Sequence, residues 1–366
     1  MIKNKRIILS GGGTGGHIYP AISIANELLF RDKKLEILFV GAKDRMEMKI
    51  IPQYGYKILG LWISGLSRDN LFKNILIPIK LVVSAMQSFI IIRKFKPDIV
   101  VGTGGYASGP IVYVANLLNI PTLIQEQNSY PGITNKILSK RVNKICVAYE
   151  NIKKYFPSDK VMITGNPVRS DILENADSFD KGLDFFGLDP NKKTMLVLGG
   201  SLGSREINKA IYSIKKYLQY INVQVIWQCG KLYYEEYKQK NIPKNLRLYD
   251  FLNNVGLAFS VSDFIISRAG ASSISELSIV GKPVIFIPSP NVAENHQLKN
   301  AQEIVKNGGA LMVEEKNINE LKKKINELNS SSDLRNKLSK NIKKSAYFNA
   351  ASDIVEEIKK LINQLI

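Results

Sequence analysis

The feature that most restricts the fold is a strand–glycine–helix module at the amino end. The apolar run Ile7-Ile8-Leu9 leads directly into "GGGTGGHIYP", Gly11 to Pro20. The segment "HIYPAISIANELLF" then repeats Ile18, Ala21, Ile22, Ala25, Leu28 and Leu29 at three- and four-residue spacing, which predicts an amphipathic helix. A second apolar run, Glu36–Gly41, follows. Strand, glycine loop, helix and strand form the βαβ unit of a parallel sheet.

The pattern continues with candidate strands at Asp98–Gly102, Thr122–Gln125, Lys144–Ala148 and Val161–Thr164. It restarts in "TMLVLGGSLGSREINKAIYSIKKYL", again an apolar strand, a glycine loop and a helix, with further strands predicted at Val223–Gln228, Phe264–Ser267 and Pro283–Ile287. Between the two series, "TGNPVRSDILENADSFDKG" is polar and contains Pro167, so a linker is expected near residues 166–180. A chain of 366 residues is also too long for one ordinary domain. Two parallel α/β domains facing a cleft are therefore expected: residues 1–166, and residues 167–366 with a C-terminal helix able to pack back on the first domain. Ligands of such sheets bind beyond the carboxyl ends of the strands.

Three glycine loops follow apolar strands: Gly11–Gly16, Gly102–Pro110 ("GTGGYASGP") and Gly199–Ser204 ("GGSLGS"). Glycine allows close backbone approach, and amides at a following helix start suit an anion. A single loop reads equally well as a tight βα turn. Three of them point to extended polar ligands. A dinucleotide site wants an acidic residue ending the second strand, but "EILFVGAK" ends in glycine, alanine and lysine. That argues against an NAD-dependent oxidoreductase. His17, directly after the first loop, is a candidate base, as a helix amino terminus disfavours imidazolium. The alternative for a lone histidine is a structural role. Polar groups also gather after later strands: Glu126 and Asn128 in "IQEQNSYPG", Arg268, Ser272, Ser273 and Glu276 in "SRAGASSISEL", and His296, Gln297 and Asn300 in "ENHQLKNA". Ser272 or Ser273 reads otherwise as a helix cap, and Glu276 as a solvated helix residue. A carboxylate at 276 suits two ribose hydroxyls.

Charge is uneven. The net charge is +19, and residues 1–165 carry 23 Lys and Arg against 10 Asp and Glu. This basic half suggests nucleic acid, an anionic membrane surface or an anionic substrate. No nucleic-acid motif or aromatic–basic interleaving supports the first of these. Lys3, Lys5 and Arg6 are separated from the glycines by only Ile7–Ser10, too few residues for a secretory signal. Leu71–Ile92 is interrupted by Lys73, Pro78, Lys80 and Gln87 and does not read as a membrane span. Its apolar residues (Leu71, Phe72, Ile75, Leu76, Ile79) and basic flank (Lys73, Lys80, Arg93, Lys94, Lys96) fit a buried helix or an interfacial one equally. Cys146 and Cys229 lie far apart in apolar runs and read as buried thiols, and no Cys/His cluster offers a metal site.

Taken together, "GGTGGHIYPA", "DRMEMKIIP", "ISGL", "KPDIVVGTGGYASGP", "IPTLIQEQN", "GITNKIL", "GNPVR", "LGGSLGS", "SRAGASSISEL", "GKPVIFIPSP" and "HQLKNA" resemble one family in order, from Gly12 to Ala301. It is the MurG family of peptidoglycan glycosyltransferases. The resemblance implies a GT-B fold, two Rossmann-like domains around a cleft. It implies inverting transfer of N-acetylglucosamine from UDP-N-acetylglucosamine to undecaprenyl-diphospho-N-acetylmuramoyl-pentapeptide. It further implies no cofactor or metal, no nucleic-acid partner, and a peripheral position on the anionic cytoplasmic face of the cell membrane, in cell-wall synthesis. Carried over by motif, Ser201 and Arg169 would contact the diphosphate and the backbone near Leu252 the uracil. Ala271, Ser272, Ser273, Ile274, Ser275 and Glu276 would cradle the nucleotide, with Glu276 on the ribose, and Gln297 would hold sugar hydroxyls. Thr14, Gly15, Gly16 and Asn128 would reach the donor sugar, while His17, Tyr106 and Glu126 would line the acceptor pocket. His17, with Glu126, would deprotonate the acceptor. Two departures from the family pattern are Ser204, where alanine is common, and Asn295, where an acid is often found. Another GT-B enzyme, such as one glycosylating diacylglycerol, shares the "GGTGGH" and "SRAG" loops; "GGYASGP" with "QEQN" favours the first reading.

Overall fold

Parallel strands buried on both faces need uninterrupted apolar runs, and the short Val/Ile/Leu segments supply them. The computed structural model describes residues 5–65, 74–175, 178–200, 202–292 and 295–363. They fall into two compact units, residues 1–168 with 349–366, and residues 169–348. The sequence grouped 349–366 with the second domain while allowing its helix to pack back; these residues are part of the first unit.

The first unit holds a seven-stranded sheet, all of whose pairings are parallel: β1 (Arg6–Ser10), β2 (Glu36–Ala42), β3 (Lys57–Leu61), β4 (Ile99–Gly102), β5 (Thr122–Glu126), β6 (Lys144–Val147) and β7 (Val161–Ile163). Their order is β3-β2-β1-β4-β5-β6-β7. The chain runs outward from β1 to β3, then returns to β4 and continues the other way. The crevice between β1 and β4 is therefore the topological switch point, where ligands of open parallel sheets bind. Helices α1 (Gly15–Arg31), α2 (Glu47–Gln53), α3 (Ile77–Phe95), α4 (Ser108–Leu117) and α5 (Ile133–Leu138) connect the strands.

The second unit repeats the plan with β8 (Thr194–Leu198), β9 (Gln224–Gln228), β10 (Leu246–Tyr249), β11 (Phe264–Ser267), β12 (Val284–Phe286) and β13 (Leu311–Met312). The order β10-β9-β8-β11-β12-β13 puts its switch point between β8 and β11. The loops that open there are Gly199–Ser204 and the "RAG" turn after β11.

The sequence misses β3, β10 and β13, each at a sheet edge. Edge strands are not covered on both sides, so the apolar-run signal fades: β3 reads exposed, half-buried, exposed, half-buried, buried.

The chain returns to the first unit through the helix Ala350–Asn363. Its Ile354, Val355, Ile358 and Ile362 join the core built by Ile18, Ala21, Ile22 and Ala25 of α1. Polar clasps flank this stripe: Arg31 donates to Ser352 Oγ at 2.6 Å, and Lys144 meets Glu357 at 3.2 Å. Cys146 and Cys229 are buried free thiols, and burial pushes them up to about 12 and about 11. Ile358 is fully buried, so Ile358→Ala should cost about 2–4 kcal/mol. The cost should appear as a lower unfolding midpoint of the first unit, read by hydrogen exchange in α1 and β1.

Candidate active site

In the first unit the loops after β1 and β4 meet backbone to backbone. A Cβ at Gly105 would lie 2.3 Å from Gly12 O, and one at Gly11 would lie 2.0 Å from Thr103 Oγ1. Gly104 and Gly105 have φ of +98° and +77°, which L side chains rarely adopt. Thr103 Oγ1 donates to His17 O at 2.7 Å, tying the β4 loop to the first turn of α1. The imidazole lies under this loop, since a Cβ at Gly104 would meet His17 Cδ2 at 2.8 Å.

His17 Nδ1 is 3.2 Å from Gly12 O and 3.1 Å from Thr14 Oγ1. A carbonyl oxygen only accepts, so this contact is a hydrogen bond in the tautomer that carries its proton on Nδ1. In the neutral ring Nε2 is then the basic nitrogen. His17, Gly105, Glu126, Asn128, Gly132, Ile133, Thr134 and Asn135 line one pocket of about 140 Å³. Tyr106 packs on the glycine loop, 3.2 Å from where a Gly13 Cβ would stand. Burial pushes its phenol up; Arg45 opposes this and Glu47 adds to it.

Glu126 is 2% exposed, and its oxygens are fully engaged. Oε1 accepts from Asn128 N at 3.0 Å and Asn128 Nδ2 at 3.1 Å. Oε2 accepts from Gly132 N at 3.0 Å and Asn135 Nδ2 at 2.8 Å. A carboxylate has about four lone-pair sites, and four donors occupy them. Its work is therefore to fold the loop 127–135 around the pocket. Behind that loop, Gln125 donates to Asn166 Oδ1 at 2.8 Å and Asn166 donates to Gln127 O at 3.1 Å, which holds the "GNPVR" segment to the end of β5.

The sequence assigned no role to Glu47, at the start of α2. It is fully buried. Its Oε1 accepts from Ala42 N at 2.9 Å and its Oε2 from Gly13 N at 3.0 Å. An acid thus does reach the end of β2, but by folding back from α2, and it grips the glycine loop itself. The amide of Gly13, within the glycine loop, is taken by this carboxylate. The signal that could have found Glu47 is "DRMEMKIIP", an acid in the first turn after β2.

In the second unit the "GGSLGS" loop is held by another backbone approach: a Cβ at Gly203 would lie 2.0 Å from Cys229 O. Ser204 caps the next helix, accepting from Ile207 N at 3.3 Å, and also accepts from Arg268 Nη2 at 2.6 Å. Arg268 further donates to Ile287 O at 2.9 Å and pairs with Glu315, so it braces three loops. Ser201 lies outside the described residues.

After β11 the helix Ala271–Val280 starts from Gly270, which offers no side-chain cap. The cap expected of Ser272 or Ser273 is therefore corrected: both stand inside the first turn. Ser275 Oγ donates to Ala271 O at 3.1 Å and Ile274 is buried. Glu276 is not solvated. It is 8% exposed and forms a two-point pair with Arg169, Nε–Oε1 2.8 Å and Nη2–Oε2 3.1 Å. The fork uses one lone pair on each oxygen and leaves the others to accept hydroxyls. Leu252 is buried in the core of this unit, so its backbone is the part that a ligand can meet. Gln297 Oε1 accepts from Ser289 N at 2.9 Å, which leaves its amide nitrogen as the donor end. Asn300 is fully buried and leans on Ala269 O at 3.5 Å, so it supports the "RAG" turn from within. Among the described residues no group of three or more His, Cys, Asp or Glu is placed to hold a metal ion.

Two family models match the chain in order: the glycosyltransferase family 28 N-terminal domain over residues 7–147 and the glycosyltransferase family 28 C-terminal domain over residues 194–358. A relative from Flavobacterium psychrophilum is 55% identical over 358 residues, 98% of each chain. One from Christiangramia forsetii is 53% identical over 367 residues, the full length of both. Both are named UDP-N-acetylglucosamine–N-acetylmuramyl-(pentapeptide) pyrophosphoryl-undecaprenol N-acetylglucosamine transferase. The crystal structure of Acinetobacter baumannii MurG is 25% identical, covers 97% of this chain and 99% of its own, and superposes with a TM-score of 0.73. A UDP-GlcNAc 2-epimerase from Neisseria meningitidis, 16% identical, shares the fold with a TM-score of 0.68 over 97% of this chain and 100% of its own. Two parallel-sheet α/β units of this kind make the fold GT-B in type. Since the matched spans contain the loops at both switch points, the chain belongs to glycosyltransferase family 28.

Proposed function

We propose that this enzyme transfers N-acetylglucosamine, with inversion, from UDP-N-acetylglucosamine to undecaprenyl-diphospho-N-acetylmuramoyl-pentapeptide. The observation that carries the reading is the pocket beside the first glycine loop. There a histidine with its Nδ1 turned to a backbone carbonyl stands among Glu126, Asn128 and Asn135. Full-length relatives bearing that activity in their names support it.

In this reading the first unit takes the acceptor. His17 Nε2 removes the proton of the attacking hydroxyl, and Tyr106 lines the same pocket. Glu126 keeps the 127–135 loop in place and takes no proton. Thr14, Gly15, Gly16 and Asn128 address the transferred sugar. The second unit takes the donor. Glu276, squared by Arg169, accepts from two ribose hydroxyls, and the backbone at Leu252 meets the uracil. The first turn of the Ala271–Val280 helix, Ala271 to Ser275, receives the diphosphate at its amino end, joined by the Arg169 charge and by Ser201. Gln297 donates to the sugar. Positive helix-end potential and a guanidinium stabilise the departing UDP.

Membrane contact is part of the proposal. Helix α3 is inverted: Ser84 and Ser88 are fully buried, while Val82, Met86, Phe89 and Ile90 are 61%, 63%, 46% and 52% exposed. With Ile75 and Ile79 they form one apolar stripe, beside exposed Arg93, Lys94 and Lys96. No described helix is long and apolar enough to cross a membrane. A stripe of this kind with a basic edge suits the surface of an anionic bilayer. Leu71, Phe72 and Lys73, read from sequence as part of it, lie outside the described residues.

The first test is incubation with labelled UDP-N-acetylglucosamine and a short-chain acceptor, with chelator present. Label in a disaccharide-lipid is expected; label in diacylglycerol instead would reassign the acceptor. His17→Gln should lower kcat by at least about 100-fold with little change in either KM, and near-normal turnover would remove the base assignment. Changing Ile79, Met86 and Phe89 together to Ser should weaken binding to anionic vesicles by at least about tenfold, with turnover on the short-chain acceptor retained. Unchanged vesicle binding would remove α3 from the membrane contact.

A further inference from the structure

Glu47 and His17 meet the same peptide group from its two ends. The Gly12–Gly13 peptide donates its N–H to Glu47 Oε2 at 3.0 Å, and its C=O stands 3.2 Å from His17 Nδ1. A carboxylate hydrogen-bonded to an N–H polarises the peptide and makes its carbonyl a stronger acceptor. The arrangement is built for this contact. A Cβ at Gly12 would lie 2.1 Å from Glu47 Oε1, and one at Gly41 would lie 2.6 Å from Glu47 Cγ, so both glycines make room for the side chain. Ala42 N holds the second oxygen and fixes the carboxylate in plane.

We infer that Glu47 is a positioning residue for the transfer reaction: acting through the Gly12–Gly13 peptide, it holds His17 as the Nδ1–H tautomer and strengthens Nε2 as a base. The inference rests on the reading of His17 as the base. In the step it serves, the acceptor O–H proton passes to Nε2. The hydroxyl oxygen forms its bond to the anomeric carbon of N-acetylglucosamine, and the bond from that carbon to the UDP oxygen breaks, its electron pair leaving with UDP. The imidazolium so formed shares its Nδ1 proton with Gly12 O, and the charge is answered, one peptide away, by Glu47. An acid–histidine pair usually does this by direct contact; here a peptide stands between, so the charge stays out of the pocket.

Other described groups stand near the imidazole. On its own helix there is Thr14 Oγ1 at 3.1 Å. The β4 loop brings Gly104 and Gly105 against the ring, while the Tyr106 phenol packs on Gly13 with Arg45 and Glu47 as its charged neighbours. From the β5 loop comes Glu126, with its lone pairs already taken by four donors. Glu47 is linked to the ring through the Gly12–Gly13 peptide by a continuous chain of hydrogen bonds.

The chain has two histidines, so nitrogen-15 NMR of the full-length protein resolves the question, with His296→Gln used to assign the second signal. In the wild type the neutral His17 ring should show protonated Nδ1 and bare Nε2; the opposite tautomer would overturn the inference without any variant at 47. Glu47→Gln keeps the shape and removes the charge. The midpoint of the His17 titration should then fall by about half a unit to one unit, less than a directly touching charge gives. The acid limb of the kcat profile should move with it, and plateau kcat should drop about tenfold with both KM values steady. A folded Glu47→Gln protein that loses turnover without any shift in the titration would reduce Glu47 to a structural prop. If His17→Gln keeps its turnover, the base reading fails, while the titration still reports whether the relay exists.

Discussion

The loops after β1 and β4 touch with no side chain between them, and the first unit's chemistry depends on that contact. Gly12 O fills the place a Cβ on Gly105 would need. Because the two backbones can close to this distance, the β4 loop covers His17, and Thr103 anchors the first turn of α1. The switch-point topology brings the loops to one edge of the sheet, and glycine lets them meet. Neither alone makes a pocket: without the strand reversal the loops would part, and with alanine at 105 they would be pushed open.

The second sheet solves the same problem with different partners. Its close approach is Gly203 against Cys229 O, between the loops after β8 and β9. Its charged groups are turned inward as well. Arg268 braces Ser204, Ile287 and Glu315, and Arg169 braces Glu276. A fully hydrogen-bonded buried carboxylate is specified in position, whereas an unpaired one would be costly. Pairing Arg169 with Glu276 therefore fixes the position of a buried acid while leaving acceptor sites on both oxygens.

Much of this was legible in the sequence because interior strands carry a two-sided burial signal. Phe264–Ser267 appears in the structure with the bounds the apolar run gives, and the three glycine loops fall at the strand ends. Three of the four edge strands were not legible, since Leu311–Met312 is two residues long and Lys57–Leu61 alternates with solvent, while Val161–Ile163 was found. The site was legible in part. Glycines announce loops, but they do not say which carboxylate will hold them. Glu47 lies 34 residues from Gly13, and its direction is set by the turn between β2 and α2, which periodicity does not encode. Ser272 and Ser273 looked like caps because serine caps well, yet the helix starts a turn earlier at Gly270. Ser204, a departure from the family pattern, proved to be a true cap.

Three acids at these loops share one property. Glu47 and Glu126 accept from backbone amides, and Glu276 accepts from a guanidinium. Each is committed to holding backbone or a neighbouring side chain, and Glu126, which lines the first unit's pocket, has both oxygens filled by donors. In the proposed reaction, proton transfer at neutral pH then falls to the group with the right intrinsic range, the imidazole. The acceptor of that proposed reaction is anionic: Glu126 meets the pocket with its lone pairs already taken by four donors, and Glu47 is screened from it by a peptide.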